Sequence, residues 1–111
     1  MAAEKLFENK IKRYLDSLGA YHIKYWAGSQ FTKSGVPDIL ACVGGYFVAL
    51  EVKAQNGKPS ELQIHTINQI KKSGGFAFVV YPSGWNECMA FLERLKLGFY
   101  DEETTAKIEF K

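Results

Sequence analysis

The feature that most constrains the fold is the pair Gly44-Gly45, which separates two runs rich in β-branched and aromatic residues, PDILACV and YFVALEVKA. In the tightest β-hairpins both turn residues adopt positive φ, which glycine does at little cost. The sequence therefore predicts an antiparallel hairpin over about 37–54. With a two-residue turn, facing residues have numbers that sum to 89, so Asp38 lies opposite Glu51.

Two carboxylates are thus predicted side by side at the open end of the hairpin. Directly opposite Cβ atoms lie about 4.5–5.5 Å apart, where like charges repel. At roughly 5 Å and an effective dielectric constant near 20, the repulsion is on the order of 3 kcal/mol. Lys53 projects from the same face as Glu51 because side chains alternate along a strand. Either Lys53 neutralises the acids at the sheet margin, or a divalent cation, which prefers carboxylate ligands, lies between them.

The remaining hydrophobic pattern predicts three helices and two more strands around the hairpin. Apolar residues at three- and four-residue spacing indicate a first helix that Gly19 ends. Ser60 and Gln63 form the pattern of a capping box at the start of a second helix. The order α-β-β-β-α-β-α favours an α/β fold with a mixed sheet and helices on both faces. The predicted elements are 2–18, 20–26, the hairpin strands, the helix after Ser60, 76–81 and 84–97.

Length and composition predict one globular domain. The chain has 111 residues, of which 47% are hydrophobic and 23% charged, so a disordered chain is excluded. No apolar run approaches the roughly 18 residues of a membrane span, and the first residues lack the apolar core of a signal peptide. Cys42 and Cys88, both in segments predicted to be buried, argue against a disulfide framework. An intracellular compartment is therefore expected, in a phage or a cell.

The segment 98–111 has the weakest pattern, and the predicted core of the domain covers about 4–97. The segment is acidic in its middle and alternates weakly at its end, which leaves an added edge strand, an arm to a partner, or a frayed tail as alternatives. Its apolar residues would suit an interface between two copies of the chain. These residues are Phe99, Tyr100, Ile108 and Phe110.

Positive charge is concentrated in the first two thirds of the chain. Residues 1–72 carry ten Lys or Arg against six Asp or Glu, whereas 73–111 carry four against six. A polyanion would bind the first part, although solvated lysines give the same pattern. The polar loop at 27–35 and the first helix offer donors for phosphate oxygens, although loops are also polar for solubility. The candidate DNA-binding residues are Ser29, Gln30, Thr32, Lys33, Ser34 and Lys12. Core or interface positions, rather than base stacking, are predicted for Tyr25, Trp26, Tyr46 and Trp85.

Three short segments resemble a nuclease signature. Gly-Val-Pro-Asp at 35–38, Glu-Val-Lys at 51–53 and Gln63 on the following helix are similar to the PD-(D/E)xK pattern. This variant resembles the stand-alone VRR-Nuc nucleases, which are related to archaeal Holliday junction resolvases. The resemblance covers about residues 4–81. It implies a restriction-endonuclease-like core and metal-dependent hydrolysis of DNA.

The resemblance also implies roles for the residues at the hairpin's open end. Asp38 and Glu51 would bind Mg²⁺ or Mn²⁺, and Lys53 would orient the attacking water or stabilise negative charge on the phosphate. Glu8 of the first helix and the Val52 carbonyl would complete the protein ligands.

Two of the implied assignments have alternatives. Glu4, one helical turn before Glu8, competes with it for the place of the helix acid. Gln63 would contact the site or the scissile phosphate, yet the capping box also uses its side chain. We expect that one side-chain conformation cannot fill both roles.

Similar small nucleases are dimeric resolvases, so the resemblance implies a homodimer that presents two sites to branched DNA such as a Holliday junction. A flap or nicking nuclease is the alternative among enzymes. A non-catalytic DNA-binding module on the same fold, or a purely structural interaction domain, are the alternatives from other classes.

Overall fold

A five-stranded mixed sheet with helices on both faces forms the fold. The computed structural model describes residues 2–26, 33–100 and 102–111. In the described ranges the elements are α1 (Ala2–Ser17), β1 (Tyr21–Lys24), β2 (Ile39–Val43), β3 (Tyr46–Val52), α2 (Glu61–Lys72), β4 (Phe76–Val80), α3 (Trp85–Lys96), α4 (Glu102–Ala106) and β5 (Glu109–Phe110), with a 3₁₀ turn at Pro82–Gly84 before α3. The α/β architecture predicted from the sequence is confirmed, and it is consistent with a restriction-endonuclease-like fold.

The strands follow one another across the sheet in the order β1-β2-β3-β4-β5. The pairs β1–β2 and β2–β3 are antiparallel, and the pairs β3–β4 and β4–β5 are parallel. Gly44 and Gly45 have φ of 61° and 89°, as the predicted turn requires. Ile39 pairs with Leu50, so the register sums to 89 along the whole hairpin and no bulge disturbs it.

Alternation along the central strands divides the interior into two clusters. On one face, α1 and α3 cover the side chains of Val48, Leu50 and Val52. On the other face, Ala49 packs with Ile67 of α2. Glu51 follows Leu50 and therefore projects to the α2 face. The acids at the end of the hairpin thus lie where both helical layers of the domain can reach them.

The C-terminal segment belongs to the sheet, which corrects two predicted interface residues. Phe110 is fully buried in the cluster under α1 and α3, and Ile108 packs on the other cluster. Both are held because β5 pairs with β4, and the close approach of Phe110 to Gly84 leaves no room for a Cβ on that glycine. The added edge strand is therefore the correct alternative, preceded by a short helix that the sequence pattern did not predict. Phe99 and Tyr100 remain exposed.

One of the two cysteines differs from the prediction in its burial. Cys88 is buried as expected, but Cys42 is exposed. The cluster under α2 includes Leu40 of β2, which is partly buried, but not Cys42. Both thiols are free. Trp85 is buried in the core, whereas Trp26 has 68% of its surface exposed, so of its two predicted positions only the interface remains a prediction. Within the described ranges, no helix has the length and apolar character that crossing a membrane requires.

Candidate active site

Asp38 and Glu51 meet at the open end of the hairpin, as the register predicts. The Val52 N–H donates to Asp38 Oδ2 over 2.9 Å, which fixes the Asp38 carboxylate against β3. Glu51 is 2% exposed. Its Oε2 accepts a hydrogen bond from Gln63 Nε2 at 3.1 Å and lies 3.1 Å from Lys53 Nζ. The predicted residues Asp38, Glu51, Lys53 and Gln63 therefore lie together.

The second carboxylate oxygen of Glu51, Oε1, is buried and has no hydrogen-bond partner among the described residues. Burial, reinforced by the negative charge of Asp38, raises the pKa of Glu51 from 4.5 to about 8, although Lys53 opposes this shift. Lys53 therefore does not offset the effects of burial and of the Asp38 charge on Glu51. A buried oxygen without a donor normally indicates a missing partner, such as an ion or a water molecule.

One side-chain conformation of Gln63 both caps α2 and contacts Glu51. The expectation that one conformation could not do both was wrong. Its Oε1 accepts from the Ser60 backbone N–H at 2.8 Å, and Ser60 Oγ accepts from the Gln63 N–H at 3.1 Å. This is the predicted capping box at the start of α2. The amide has a second end, and its Nε2 donates to Glu51. The helix cap thereby orients a hydrogen-bond donor towards the buried carboxylate.

Glu8, rather than Glu4, is the buried acid of α1, with 4% of its surface exposed. Three ammonium groups surround it: Lys24 lies 2.5 Å from Oε1, while Lys12 and Lys5 lie 2.9 Å and 3.2 Å from Oε2. Burial alone would raise the pKa of Glu8, but the hydrogen bonds from these lysines outweigh it and lower the pKa from 4.5 to about 2. Glu8 is therefore ionised at neutral pH and paired on both oxygens.

Lys24 is a site residue that the sequence analysis did not select. Its Nζ also lies 3.4 Å from Asp38 Oδ1, so it joins the helix acid to the hairpin acids. The sequence did not indicate this, because alternation alone would place the apolar Ile23 on the covered face, whereas in the structure Ile23 is exposed and Lys24 projects to the α1 face. A lysine on a covered face needs an acidic partner, but the sequence does not indicate which one.

The structure describes three of the six predicted DNA-binding residues. Lys33 and Ser34 are exposed, and the Lys33 carbonyl accepts from the Tyr25 hydroxyl at 2.9 Å, which ties the described end of the loop to the strand segment. Lys12 is half-buried and paired with Glu8. The predictions for Ser29, Gln30 and Thr32 lie outside the described residues.

The donor set fits a divalent cation held by few protein ligands. Among residues 2–26, 33–100 and 102–111, no group of three or more His, Cys, Asp or Glu side chains could hold a metal ion. Mg²⁺, however, is commonly bound by one or two carboxylates, with waters and substrate phosphates as the other ligands. Asp38 and Glu51 provide two carboxylates, and Glu51 Oε1 is buried without a donor.

A family model matches most of the chain. The family is described as archaeal Holliday junction resolvase (Hjc), and the match covers residues 3–97. A search of the curated proteins found no match. The matched range includes α1, the hairpin, α2 and the four clustered residues Asp38, Glu51, Lys53 and Gln63. The finer resemblance to VRR-Nuc nucleases stays a prediction.

Proposed function

The chain belongs to the archaeal Holliday junction resolvase family, and from this we propose that it is a metal-dependent endonuclease that hydrolyses phosphodiester bonds in four-way DNA junctions. One observation carries the metal dependence. Glu51 is buried beside Asp38 with one oxygen to which no described residue donates, so the two carboxyl groups are stable side by side only when a proton or a cation binds between them.

Asp38 and Glu51 would hold Mg²⁺ or Mn²⁺. The family resemblance implies Glu8 and the Val52 carbonyl as further protein ligands, and Glu8 could bind only after one of its lysine partners had moved away. The bound cation would supply Lewis-acid stabilisation of negative charge on the scissile phosphate. Glu51 must give up its proton before it can act as a ligand, because its pKa is raised to about 8. Cation binding is therefore expected to release a proton at neutral pH.

Lys53 and Gln63 would act on the reacting groups from fixed positions. Lys53 is held 3.1 Å from Glu51, which supports a role for its ammonium group towards an attacking water or a phosphate oxygen at the acids. A positive charge placed in advance stabilises the negative charge that develops during hydrolysis. Gln63 is anchored by the α2 cap and keeps Glu51 in its orientation.

Contacts to the DNA backbone would come from the loop before Gly35 and from α1. We assign this role to Ser29, Gln30, Lys33, Ser34 and Lys12, which offer hydroxyl, amide and ammonium donors. Such contacts carry little sequence information, and each phosphate neutralised releases counterions. Junction binding should therefore weaken steeply as salt concentration rises.

A symmetric dimer would place two active sites on two strands of one junction. Of the tail residues predicted to form a dimer interface, the aromatic residues Phe99 and Tyr100 are exposed and could contact a second copy of the chain. Multi-angle light scattering on the wild type and on Phe99→Ser tests this point. A monomeric wild type would refute the dimer without affecting the chemistry of the site.

The substrate class is tested with labelled four-way junction, flap and linear duplex, each incubated with Mg²⁺, Mn²⁺ or a chelator. The wild type should cut the junction only when a cation is present. Lys53→Ala should cut at least about 100-fold more slowly. Lys58→Ala, at an exposed lysine of the loop after β3, is the matched control and should cut normally.

Three results would contradict parts of the proposal. Cutting confined to flaps would refute the junction preference. Junction binding without cutting under any condition would favour a non-catalytic DNA-binding module. Full activity with the chelator would refute the role of the cation.

A further inference from the structure

The ammonium group of Lys24 occupies the space between two acids of the proposed site. Its Nζ lies 2.5 Å from Glu8 Oε1 and 3.4 Å from Asp38 Oδ1. The side chain is 18% exposed and also lies over the ring of Trp26, with Nζ 5.3 Å from the centroid. A single positive charge thus bridges a carboxylate of α1 and a carboxylate of the hairpin, as a cation shared by the two acids would.

Lys24 differs in this respect from the other lysines around Glu8. Lys5 and Lys12 pair with Glu8 Oε2, and among the described ion pairs neither contacts Asp38. If Lys24 moved away, Glu8 would keep both of these partners and would not become an isolated buried charge. Its other oxygen, Oε1, would then be free to accept a new cation.

We propose that Lys24 is an internal counter-ion that a divalent cation must displace from between Glu8 and Asp38, so that Lys24 weakens cation binding in the DNA-free protein. This inference rests on the proposed function, because it concerns the same cation. Two positive charges cannot share the space between these acids without strong repulsion. The lysine stem is long and ends near solvent beside the exposed Trp26, so its head group has a route out.

Displacement of Lys24 would allow Glu8 to act as a cation ligand. Both oxygens of Glu8 are engaged by lysines, so Glu8 is not free to bind a cation while Lys24 stays in place. Departure of Lys24 frees one oxygen of Glu8 and one of Asp38 in the same step. The cation site therefore becomes complete only when the ammonium group has left.

The first test measures Mn²⁺ affinity of the DNA-free protein by isothermal titration calorimetry. Lys24→Met should tighten binding at least about fivefold, the effect of one unit charge near 4 Å in a medium as polarisable as water. Lys107→Met is the control, because it removes a positive charge that pairs with Glu87 and, among the described ion pairs, contacts neither Glu8 nor Asp38. It should change the affinity by less than about twofold.

A second test uses the wild type alone and so does not depend on the folding of a variant. Nitrogen-15 NMR of the lysine ammonium groups follows a titration with Mg²⁺. The Lys24 signal should change as Mg²⁺ binds, whereas the signal of Lys107, which pairs with Glu87, should stay constant.

The outcomes separate this inference from the proposed function. If the wild type and Lys24→Met bind Mn²⁺ with equal affinity, and the Lys24 signal does not change when Mg²⁺ is added, the displacement is refuted. The proposal of a cation site is not affected by that result. No Mn²⁺ binding by either protein would refute the cation site and the displacement together.

Discussion

Replacing Glu51 by glutamine should alter how the protein's stability depends on pH. The carboxyl of Glu51 is 2% exposed, and its pKa is raised to about 8 by burial and by the charge of Asp38. Glutamine has nearly the same shape and no charge, and it can still accept the hydrogen bond from Gln63. The substitution therefore removes the titration while keeping most of the packing.

The size and sign of the effect follow from the two states of Glu51. In the folded protein its carboxyl takes up a proton below about pH 8, whereas in the unfolded chain it does so only near the ordinary value of 4.5. Between these values the folded state binds the extra proton, so Glu51 makes the free energy of unfolding fall as pH rises. From pH 5 to pH 8 the loss is on the order of 3 kcal/mol.

Urea unfolding of the wild type and Glu51→Gln at pH 5, 6.5 and 8, without divalent cations, measures this loss. Relative to the wild type, the free energy of unfolding of the variant should rise by about 3 kcal/mol between pH 5 and pH 8. Glu8→Gln is the control of opposite sign, because the pKa of Glu8 is lowered to about 2. The loss in free energy of unfolding caused by Glu8→Gln should stay constant from pH 5 to pH 8, since the stability that Glu8 contributes is lost only as pH falls from 4.5 towards 2.

A difference between wild type and Glu51→Gln that does not vary with pH would refute the reasoning. It would mean that Glu51 is ionised in the folded protein at pH 5, with enough partners to stabilise its charge. The unpaired oxygen would then no longer indicate a missing cation.

Three further substitutions test the framework around the site. Ser60→Ala should cost about 1 kcal/mol through loss of the helix cap, measured by urea unfolding, and an unchanged midpoint would contradict the role of the capping box in α2. Gly45→Ala should cost about 1 kcal/mol because φ at that turn residue is 89°; a neutral thermal melt would argue against the two-residue turn. Phe110→Ala should cost about 3–5 kcal/mol because the side chain is fully buried, whereas a loss below about 1 kcal/mol, the range of surface changes, would favour a detached tail.

The sequence predicted most of the site because its geometry depends on local rules. A glycine pair determines the turn, the turn determines the register, and the register places Asp38 opposite Glu51. The capping box at Ser60 and Gln63 was predicted in the same way, from spacing within one helical turn. These features need no knowledge of which surfaces pack together.

The features that were missed depend on tertiary contacts. Lys24 reaches Glu8 and Asp38 across 16 and 14 positions of the chain. The packing of α1 on β1 brings it to Glu8, and the pairing of β1 with β2 brings it to Asp38. The strand that contains Phe110 is two residues long and exists because β4 offers it an edge. Cys42 was predicted to be buried because alternation indicates the face of a strand but not whether a helix covers that face.

The central claim is that Asp38 and Glu51 share a cation that promotes hydrolysis. The most direct test is the single-turnover rate of four-way junction cleavage by wild type and Asp38→Asn at saturating Mg²⁺. Asparagine keeps the shape of Asp38 and can still accept the hydrogen bond from the Val52 N–H, so folding should be unaffected. The account predicts a rate at least about 100-fold below that of the wild type; equal rates would contradict it.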